Sequence, residues 1–427
     1  MNYVNMVNWN SMKRYIKIAV VVLIFPFWCQ AQDKEVLTLP EIIEKIDQNN
    51  LLLKVYGDRA ESYKYSADAA TAWMPPMIGL GTWQTPYPFQ DVMDPRDKGM
   101  LMLRVEQEIP GRAKLNARRR YIESQGNAEL ANRAVTFNDL KAEARKQYFS
   151  WLVALQKISV LRKNEQVLSM MRKIEEVRYP YNQSQLSSVY RSDAALENNA
   201  AMMQMQVGEI ERAKGTLNAL MNRQGNEDFT IDTTYEVRFL PVSQIDTTSL
   251  AVERRDVLRM NENIRSMQLN IEAMRLQRRP DFRVQFDHMQ PFDDMMPKAF
   301  SVMGMISIPF APWASKMYKS DIRAMELNIR AMETERAAML QETQAMLYGM
   351  QNEILSMQKR INAIETKVIP ALQKTFDANY LVYQENKLSV TVLLDSWEAL
   401  NMMQTELLDD KRRLYQMIAD YEKEIYR

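Results

Sequence analysis

The sequence predicts a mainly α-helical protein with a small β part, built from long antiparallel helical hairpins and four strands. Only 11 glycines and 16 prolines occur in 427 residues, and most fall in a few segments, so the rest is expected to form long helices. Two strand pairs opened by proline interrupt them, at Pro75 to Pro110 and Pro280 to Pro309. Each is followed by a helical run and a turn with related residues, which indicates an internal duplication: Tyr181, Leu186, Ser187 and Asp193, then Tyr383, Leu388, Ser389 and Asp395.

The duplication predicts the domain organisation. Each repeat should consist of a helix, a strand pair and a long helical hairpin. We expect a signal peptide at residues 1–31, a first repeat at 32–222 with its strand pair at 76–109, an irregular linker at 223–248, and a second repeat at 249–427 with its strand pair at 281–309.

The N-terminus has the pattern of a secretory signal. Basic residues at 13–17 precede an apolar run at 18–28, and cleavage is expected after Ala31. Bulky aromatic residues directly before Cys29 favour simple cleavage over lipidation. Because Cys29 is the sole cysteine, the mature chain has neither a disulfide nor a thiol nucleophile.

Helical periodicity dominates the remaining chain. The first repeat should contain a helix at Leu39 to Thr71 and a rod from Ala113 to Val177, which at about 1.5 Å per residue is on the order of 95 Å long. A turn at Tyr179 to Ser188 leads into a returning helix from Val189 to Met221. The second repeat should follow the same order, with helices at Leu250 to Arg278, Ala314 to Leu381 with a kink at Pro370, and Lys387 to Arg427.

The strands alternate between apolar and polar residues. Leu101, Leu103 and Val105 share one face, and Phe282, Val284 and Phe286 repeat that spacing. A strand whose apolar residues face outward and whose charged residues face inward is typical of the wall of a membrane barrel around a water-filled lumen. A half-buried hairpin of a soluble protein gives the same alternation. The predicted lumen residues are Arg104, Glu106, Glu108, Arg283 and Asp287.

Four strands are too few to close a membrane barrel, because the smallest have about 8. A spanning sheet must be closed so that its edge groups are hydrogen-bonded. If these strands span a membrane, several chains must therefore share one barrel.

The composition gives little support for catalysis. With 55 basic and 54 acidic residues, the net charge of +1 does not favour nucleic acid. A single histidine, His288, expected on the apolar strand face or at its rim, does not support a zinc site, and no glycine-rich phosphate loop precedes a helix. Acidic residues lie three or four positions from basic ones, as on ordinary helix surfaces. We therefore expect no enzyme activity and no cofactor.

Methionine is abundant, with 32 residues, and Met325, Met332 and Met339 recur every seventh position. Such a repeat favours a packing stripe between helices. The alternative is thioether contact with Cu(I) or Ag(I), for which the weak candidates are Met303 and Met305 on the last strand. We predict no metal site.

Two motifs carry a resemblance to the outer membrane efflux protein family, the TolC-like channels, and this resemblance covers nearly the whole mature chain. Residues 107–112 (QEIPGR) lead from strand to helix. Residues 383–389 (YQENKLS), followed by Leu393-Leu394-Asp395, are similar to the family's Tyr-x-x-Gly turn and Leu-Asp helix. The chain departs from the family pattern at Ser184 and Asn386, where turn glycines are expected, and at Val392, where some relatives have a second gate aspartate.

The resemblance implies a homotrimer in the outer membrane of a Gram-negative bacterium. Three chains would form a 12-stranded β-barrel in the lipid, an α-barrel through the periplasm, and an equatorial girdle from residues 223–248. The helical tips would dock on a periplasmic adaptor (membrane fusion) protein linked to an inner-membrane pump. The implied gate residues are Asp395 and Asp193, and the implied docking residues are Tyr181, Leu186, Ser187, Tyr383, Leu388 and Ser389.

The implied function is the outer-membrane channel of a tripartite efflux system of the RND type, a passive duct for metal ions or small toxic compounds. The Ile-Pro-Gly ending of the strand pair and the methionine content resemble the heavy-metal branch. The exit duct of a type I protein secretion system would use the same scaffold. A soluble periplasmic coiled-coil adaptor or scaffold is the other alternative, although adaptors usually add compact β domains.

Overall fold

The computed structural model describes residues 35–242 and 245–426. The predicted signal peptide, residues 1–31, lies outside this range. The described chain is mainly helical, as predicted. Its helices are α1 (Leu39–Asn49), α2 (Leu51–Ala69), α3 (Arg112–Arg178), α4 (Leu186–Leu220), α5 (Thr247–Glu253), α6 (Arg255–Leu276), α7 (Pro312–Ala363), α8 (Ile369–Gln384) and α9 (Val390–Glu424).

Four of the strands form one antiparallel sheet. The strands are β1 (Val36–Leu37), β2 (Met77–Trp83), β3 (Met100–Ile109), β4 (Thr230–Ile231), β5 (Phe282–Pro291) and β6 (Ala299–Ile306), and the sheet has the order β2-β3-β5-β6. The two predicted strand pairs meet where β3 lies beside β5, from Met100 opposite Pro291 to Ile109 opposite Phe282. The repeats therefore contribute equally to a single sheet, with β2 and β6 at its edges.

The first helix is interrupted, contrary to the prediction of one helix from Leu39 to Thr71. Asn50 separates α1 from α2 in an extended conformation, and its Oδ1 accepts hydrogen bonds from the backbone N–H groups of Leu52 and Leu53. Its Nδ2 donates to the carbonyl oxygen of Leu220 at 2.8 Å. Asn50 thus caps the start of α2 and satisfies the end of α4, so that one helix continues where the other stops.

Arg254 makes the corresponding junction in the second repeat. It separates α5 from α6, so the predicted helix from Leu250 to Arg278 is also broken. Its Nη1 donates to the carbonyl oxygen of Glu424 at 2.8 Å, at the end of α9. Arg254 is buried and paired with Asp256 and with the carboxylate of Glu424. The duplication is therefore visible in the helix junctions as well as in the strands.

Pro370 affects its helix as predicted, although the distortion begins earlier in the chain. A π-helical turn at Ile364–Val368 joins α7 to α8, directly before the proline. Proline has no backbone N–H to donate, and its ring crowds the carbonyl groups of the preceding turn. The wider π turn relieves this crowding. The matching rod in the first repeat, α3, is a single helix of 67 residues, or about 100 Å.

The described part of the segment at 223–248 is largely irregular up to the start of α5, and it is anchored to the helices. Phe229, Ile231 and Ile245 are buried. The Tyr148 hydroxyl donates to the carbonyl oxygen of Asp232 at 2.6 Å, and Gln344 Nε2 donates to that of Ile245 at 2.7 Å. The short strand β4 within it pairs with β1. This segment forms a packed layer across the middle of the helical bundle.

Among the described helices, none is both long enough and apolar enough to cross a membrane.

Candidate functional site

The predicted lumen residues share one face of the sheet. Across the β3–β5 seam, Arg104 lies opposite Asp287, and Glu108 lies opposite Arg283. Glu106 lies between them on β3, opposite Gln285. Residues opposite each other in an antiparallel pair are close enough for their side chains to interact. The five charged residues therefore form one continuous polar strip.

Ion pairs link these side chains across the strands. Arg104 Nε lies 2.8 Å from Asp287 Oδ1. The other carboxylate oxygen of Asp287 accepts from Gln285 Nε2 at 2.7 Å and from Ser301 Oγ at 3.3 Å. Asp287 thereby connects β3, β5 and β6, and its charge is neutralised within the sheet.

The opposite face of the sheet is apolar and uncovered. Ile78 and Leu80 on β2 are each 72% exposed, and Phe300 and Val302 on β6 are 70% and 64% exposed. His288 is exposed on this face, in keeping with its predicted position. No element of the described chain covers these side chains, so a second molecule or a lipid phase must do so if they are shielded from water.

The polar face is the more enclosed of the two. Gln285 and Asp287 are 6% and 4% exposed, whereas Val284 and Phe286, their neighbours on the other face, are 42% and 41% exposed. Side chains crowd together on the inside of a curved sheet and spread apart on the outside. The difference at these central positions indicates that the charged strip lies on the concave side.

The two helical turns have the same backbone structure. Asn182 and Asn386 both adopt the left-handed conformation, with φ of 54° and 59°. The N–H of Asn182 donates to the carbonyl oxygen of Tyr179, and that of Asn386 donates to the carbonyl oxygen of Tyr383. Asparagine is one of the few residues that adopts this conformation readily.

This geometry corrects the pairing of the turns inferred from sequence. Tyr179, rather than Tyr181, is the structural counterpart of Tyr383, and Asn182, rather than Ser184, occupies the turn position of Asn386. Asn182 and Asn386 are separated in the sequence by the same number of residues as Asn50 and Arg254. Asp193 and Asp395 therefore do not occupy equivalent positions in the two repeats.

The two gate candidates differ in their surroundings. Asp193 lies 2.6 Å from Arg172 Nε. Asp395 is exposed within α9, and its carboxylate has no hydrogen bond or ion pair with another side chain in the described part of the chain.

The docking candidates also differ in exposure. Tyr181 and Leu186 are exposed, and Ser187 is exposed with its hydroxyl near Gln185. Leu388 packs partly against the core at the tips, and Ser389 is the exposed residue before α9. Tyr383 is completely buried, so its side chain cannot contact a partner in this conformation.

Tyr383 instead joins the tips of the two repeats. Its hydroxyl donates to Glu175 Oε1 at 2.5 Å, and the other carboxylate oxygen of Glu175 accepts from the Ser184 hydroxyl. Arg178 Nη2 donates to the carbonyl oxygen of Tyr383 at 3.0 Å, and its guanidinium lies 4.7 Å from the centre of the tyrosine ring. Burial, reinforced by the Glu175 carboxylate, raises the pKa of Tyr383.

The sequence interpretation missed Glu175 and Arg178. A signal for Glu175 exists, because it follows the buried Leu168 and Met171 at helical spacing and so places a carboxylate in an apolar seam. A buried carboxylate requires donors. The residues that supply them lie far along the chain or across the turn.

The methionine candidates lie on the polar strand face. Met303 is opposite Gln285, and Met305 is opposite Arg283. The described residues contain no cluster of three or more histidine, cysteine, aspartate or glutamate side chains that could hold a metal ion. The positively charged guanidinium group of Arg283, opposite Met305, would repel a metal ion at that position.

Solved structures with the same architecture are found by comparison. The outer membrane protein VceC from Vibrio cholerae is 15% identical, with a TM-score of 0.68 over 91% of this chain and 95% of its own. The fold is that of the outer-membrane channels. CusC, which forms a transmembrane channel, is 13% identical to this chain, with a TM-score of 0.72 over 91% of each chain. The CmeC outer membrane channel from Campylobacter jejuni is 13% identical, with a TM-score of 0.68 over 91% of this chain and 85% of its own.

The likeness to these channels concerns the fold. No protein-family model matches the sequence, and no curated protein matches it. The resemblance inferred from the duplicated strands and turns is confirmed at the level of the fold, across nearly the whole described chain.

Removal of the Tyr383 hydroxyl should loosen the tips. Tyr383→Phe leaves a buried carboxylate oxygen of Glu175 without its donor, which costs about 1–3 kcal/mol. We expect faster hydrogen exchange and proteolysis in the turn between α8 and α9. The matched control is Tyr181→Phe, which changes an exposed tyrosine in the other turn. Equal exchange rates in the two variants would show that the Glu175 contact does not hold the tips together.

Proposed function

We propose that this protein is the outer-membrane channel of a tripartite efflux system in a Gram-negative bacterium, where it serves as a passive export duct. The observation that carries the proposal is the uncovered apolar face of the sheet. A water-soluble protein rarely exposes so much contiguous apolar surface. Lipid would cover this face, and the charged concave face would line a water-filled lumen.

The open edges of the sheet support a homotrimer. Within the described chain, β2 and β6 each pair on one side only. Unpaired strand edges are not tolerated in lipid, because no water is present to bond their backbone groups. Pairing β6 of one chain with β2 of the next would close a barrel, and three chains with four strands each would give 12 strands, above the minimum of about 8.

The helices support the periplasmic part of the proposal. The rod α3 is about 100 Å long, and it connects the sheet at one end with the packed tips at the other. In the proposed assembly the rods surround a tunnel, the segment at 223–248 forms the equatorial girdle, and the tips dock on a periplasmic adaptor protein joined to an inner-membrane pump. Tyr181 and Leu186 are the exposed apolar docking candidates at the first tip.

The proposed pump is of the RND type, and the proposed cargo is metal ions or small toxic compounds. Methionine supports soft-metal cargo through its abundance and through Met303 on the concave face, opposite the neutral Gln285. The alternative of a soluble adaptor or scaffold is less consistent with the exposed apolar sheet. The duct has no proposed catalytic function.

Charge placed on the two strand faces should have opposite effects on membrane insertion. Val302→Arg puts a cation on the proposed lipid face, which costs about 2–4 kcal/mol at mid-depth, so assembly in the outer membrane should fall sharply. Met303→Arg, the next residue, puts the same cation on the polar face and should assemble normally. Both side chains are exposed in the single chain, at 64% and 49%, so exposure alone predicts no difference. Equal assembly of the two variants would contradict the lipid-facing assignment.

Asp395 should contribute to closing the periplasmic entrance. Asp395→Ala is expected to raise the leak conductance of the channel in planar lipid bilayers, because in the proposed trimer the Leu393-Leu394-Asp395 segment would bring this exposed carboxylate to the closed entrance. The control is Glu398→Ala, which removes an exposed carboxylate one turn along α9. Unchanged conductance in the Asp395 variant would remove this residue from the gate.

A further inference from the structure

We propose that a basic collar, at the junction between the sheet and the long helices, binds the head groups of anionic phospholipids, and that the groove between α3 and α6 is the centre of this surface. The collar can meet lipid only if the sheet is inserted in a membrane, so this inference rests on the proposed channel function. The ligand is a phosphodiester head group with a net negative charge, of the phosphatidylglycerol class.

The segments that form the collar are strongly basic. They are residues 110–120 (PGRAKLNARRR), 275–281 (RLQRRPD) and 307–320 (SIPFAPWASKMYKS), which together carry ten basic residues and one acidic residue. The fourth junction, at 69–76 (AATAWMPP), is uncharged. The loops at the other end of the sheet, at 84–99 and 292–298, carry five acidic and three basic residues. The two ends of the sheet therefore differ in the sign of their charge.

The dipoles of the helices do not explain the collar. The N-termini of α3 and α7 follow the sheet, and the positive end of a helix dipole favours carboxylates there over cations. Neither helix has an acidic residue in its first turn, whereas Arg112, Lys114 and Lys316 lie in their first two turns. An anion from outside the chain would stabilise cations at these positions.

Most of the collar has no counter-charge in the described chain. Lys114 is paired with Asp281 at 2.7 Å. The other nearby carboxylates contact Arg119 and Arg120, the members of the collar farthest from the sheet along α3. Within the described residues, six side chains of the collar have neither an ion pair nor a hydrogen bond, and these are Arg112, Arg118, Arg278, Arg279, Lys316 and Lys319.

The groove between α3 and the end of α6 brings two guanidinium groups together. Its volume is about 760 Å³, and its lining includes Asn116, Arg120, Leu276 and Arg279. The only ion pair of Arg120 in the described chain is with Glu272 at 3.3 Å, and both side chains are more than half exposed. Guanidinium groups bind phosphate oxygens in a bidentate manner. Arg120 and Arg279 could therefore hold one phosphate above the apolar Leu276.

The groove opens on the side of the rods that faces away from the lumen. It shares part of its lining with the next groove along α3, which extends to Asp47 of α1. Ile46 of the same helix lies in one hydrophobic cluster with Phe229 of the segment at 223–248, the proposed outer girdle. The opposite face of α3 lines a different groove, which contains Glu108 of the charged strip. In the proposed assembly, lipid head groups would lie on the outer side, next to the apolar face of the sheet.

The test is electron paramagnetic resonance of spin-labelled lipids around the purified channel, reconstituted in phosphatidylcholine vesicles. The motionally restricted fraction of each label measures the association of phosphatidylglycerol relative to phosphatidylcholine. We expect the unmodified protein to prefer phosphatidylglycerol, and we expect added salt to weaken this preference. The double variant Arg120→Gln/Arg279→Gln should lower the relative association by at least about twofold.

The matched control is Arg162→Gln/Lys163→Gln. It also removes two exposed cations from the chain, but these lie about 75 Å from the start of α3. The relative association should therefore stay at the value of the unmodified protein.

The outcomes separate this inference from the proposed function. Equal association of the two lipids with the inserted, unmodified protein would overturn the collar as a lipid site. An unchanged preference in the Arg120/Arg279 variant, or an equal loss in that variant and in the control, would overturn the assignment to the groove. Failure of the unmodified protein to insert in the vesicles would instead contradict the channel function.

Discussion

The proposed assembly depends on a four-stranded sheet that is open at both edges within the described chain. One face is apolar and exposed, and the other carries the charges. Both edges end in strands with unpaired backbone groups within the described chain. Neighbouring copies that pair with the edges and lipid that covers the apolar face would satisfy both requirements. The long helices would then extend from the sheet on one side of the membrane.

The two repeats are joined at three levels. In the sheet, β3 of the first repeat pairs with β5 of the second, and the Arg104–Asp287 ion pair crosses that seam. In the middle, the segment at 223–248 packs against helices of both repeats. At the tips, Glu175 of the first repeat accepts from Tyr383 of the second. The packed layer in the middle does not extend to the tips. Movement of one repeat relative to the other at the tips must therefore break the buried hydrogen bond between Tyr383 and Glu175.

Local patterns predicted the elements, the strand faces and the polar strip. Alternation with period two fixes which residues share a face, so Arg104 and Asp287 could be placed on one face from sequence alone. The helix breaks could not be predicted in this way. Asn50 and Arg254 each bond a carbonyl group 170 residues away in the chain, and no short window contains both partners. The tip pairing failed for a different reason, because tyrosines at positions 179 and 181 both fit the pattern and only the left-handed Asn182 identifies the counterpart.

The most direct test of the shared-sheet account is cross-linking between the two edge strands. Thr82→Cys on β2 and Phe300→Cys on β6 can be combined in one chain and treated in membranes with a short bismaleimide. Within one chain these edges are separated by two strands, or about 14 Å, which is beyond the reach of such a reagent. The account predicts a covalent trimer in the double variant and monomers in each single variant. Only monomers in the double variant, with the protein correctly folded in the membrane, would contradict it.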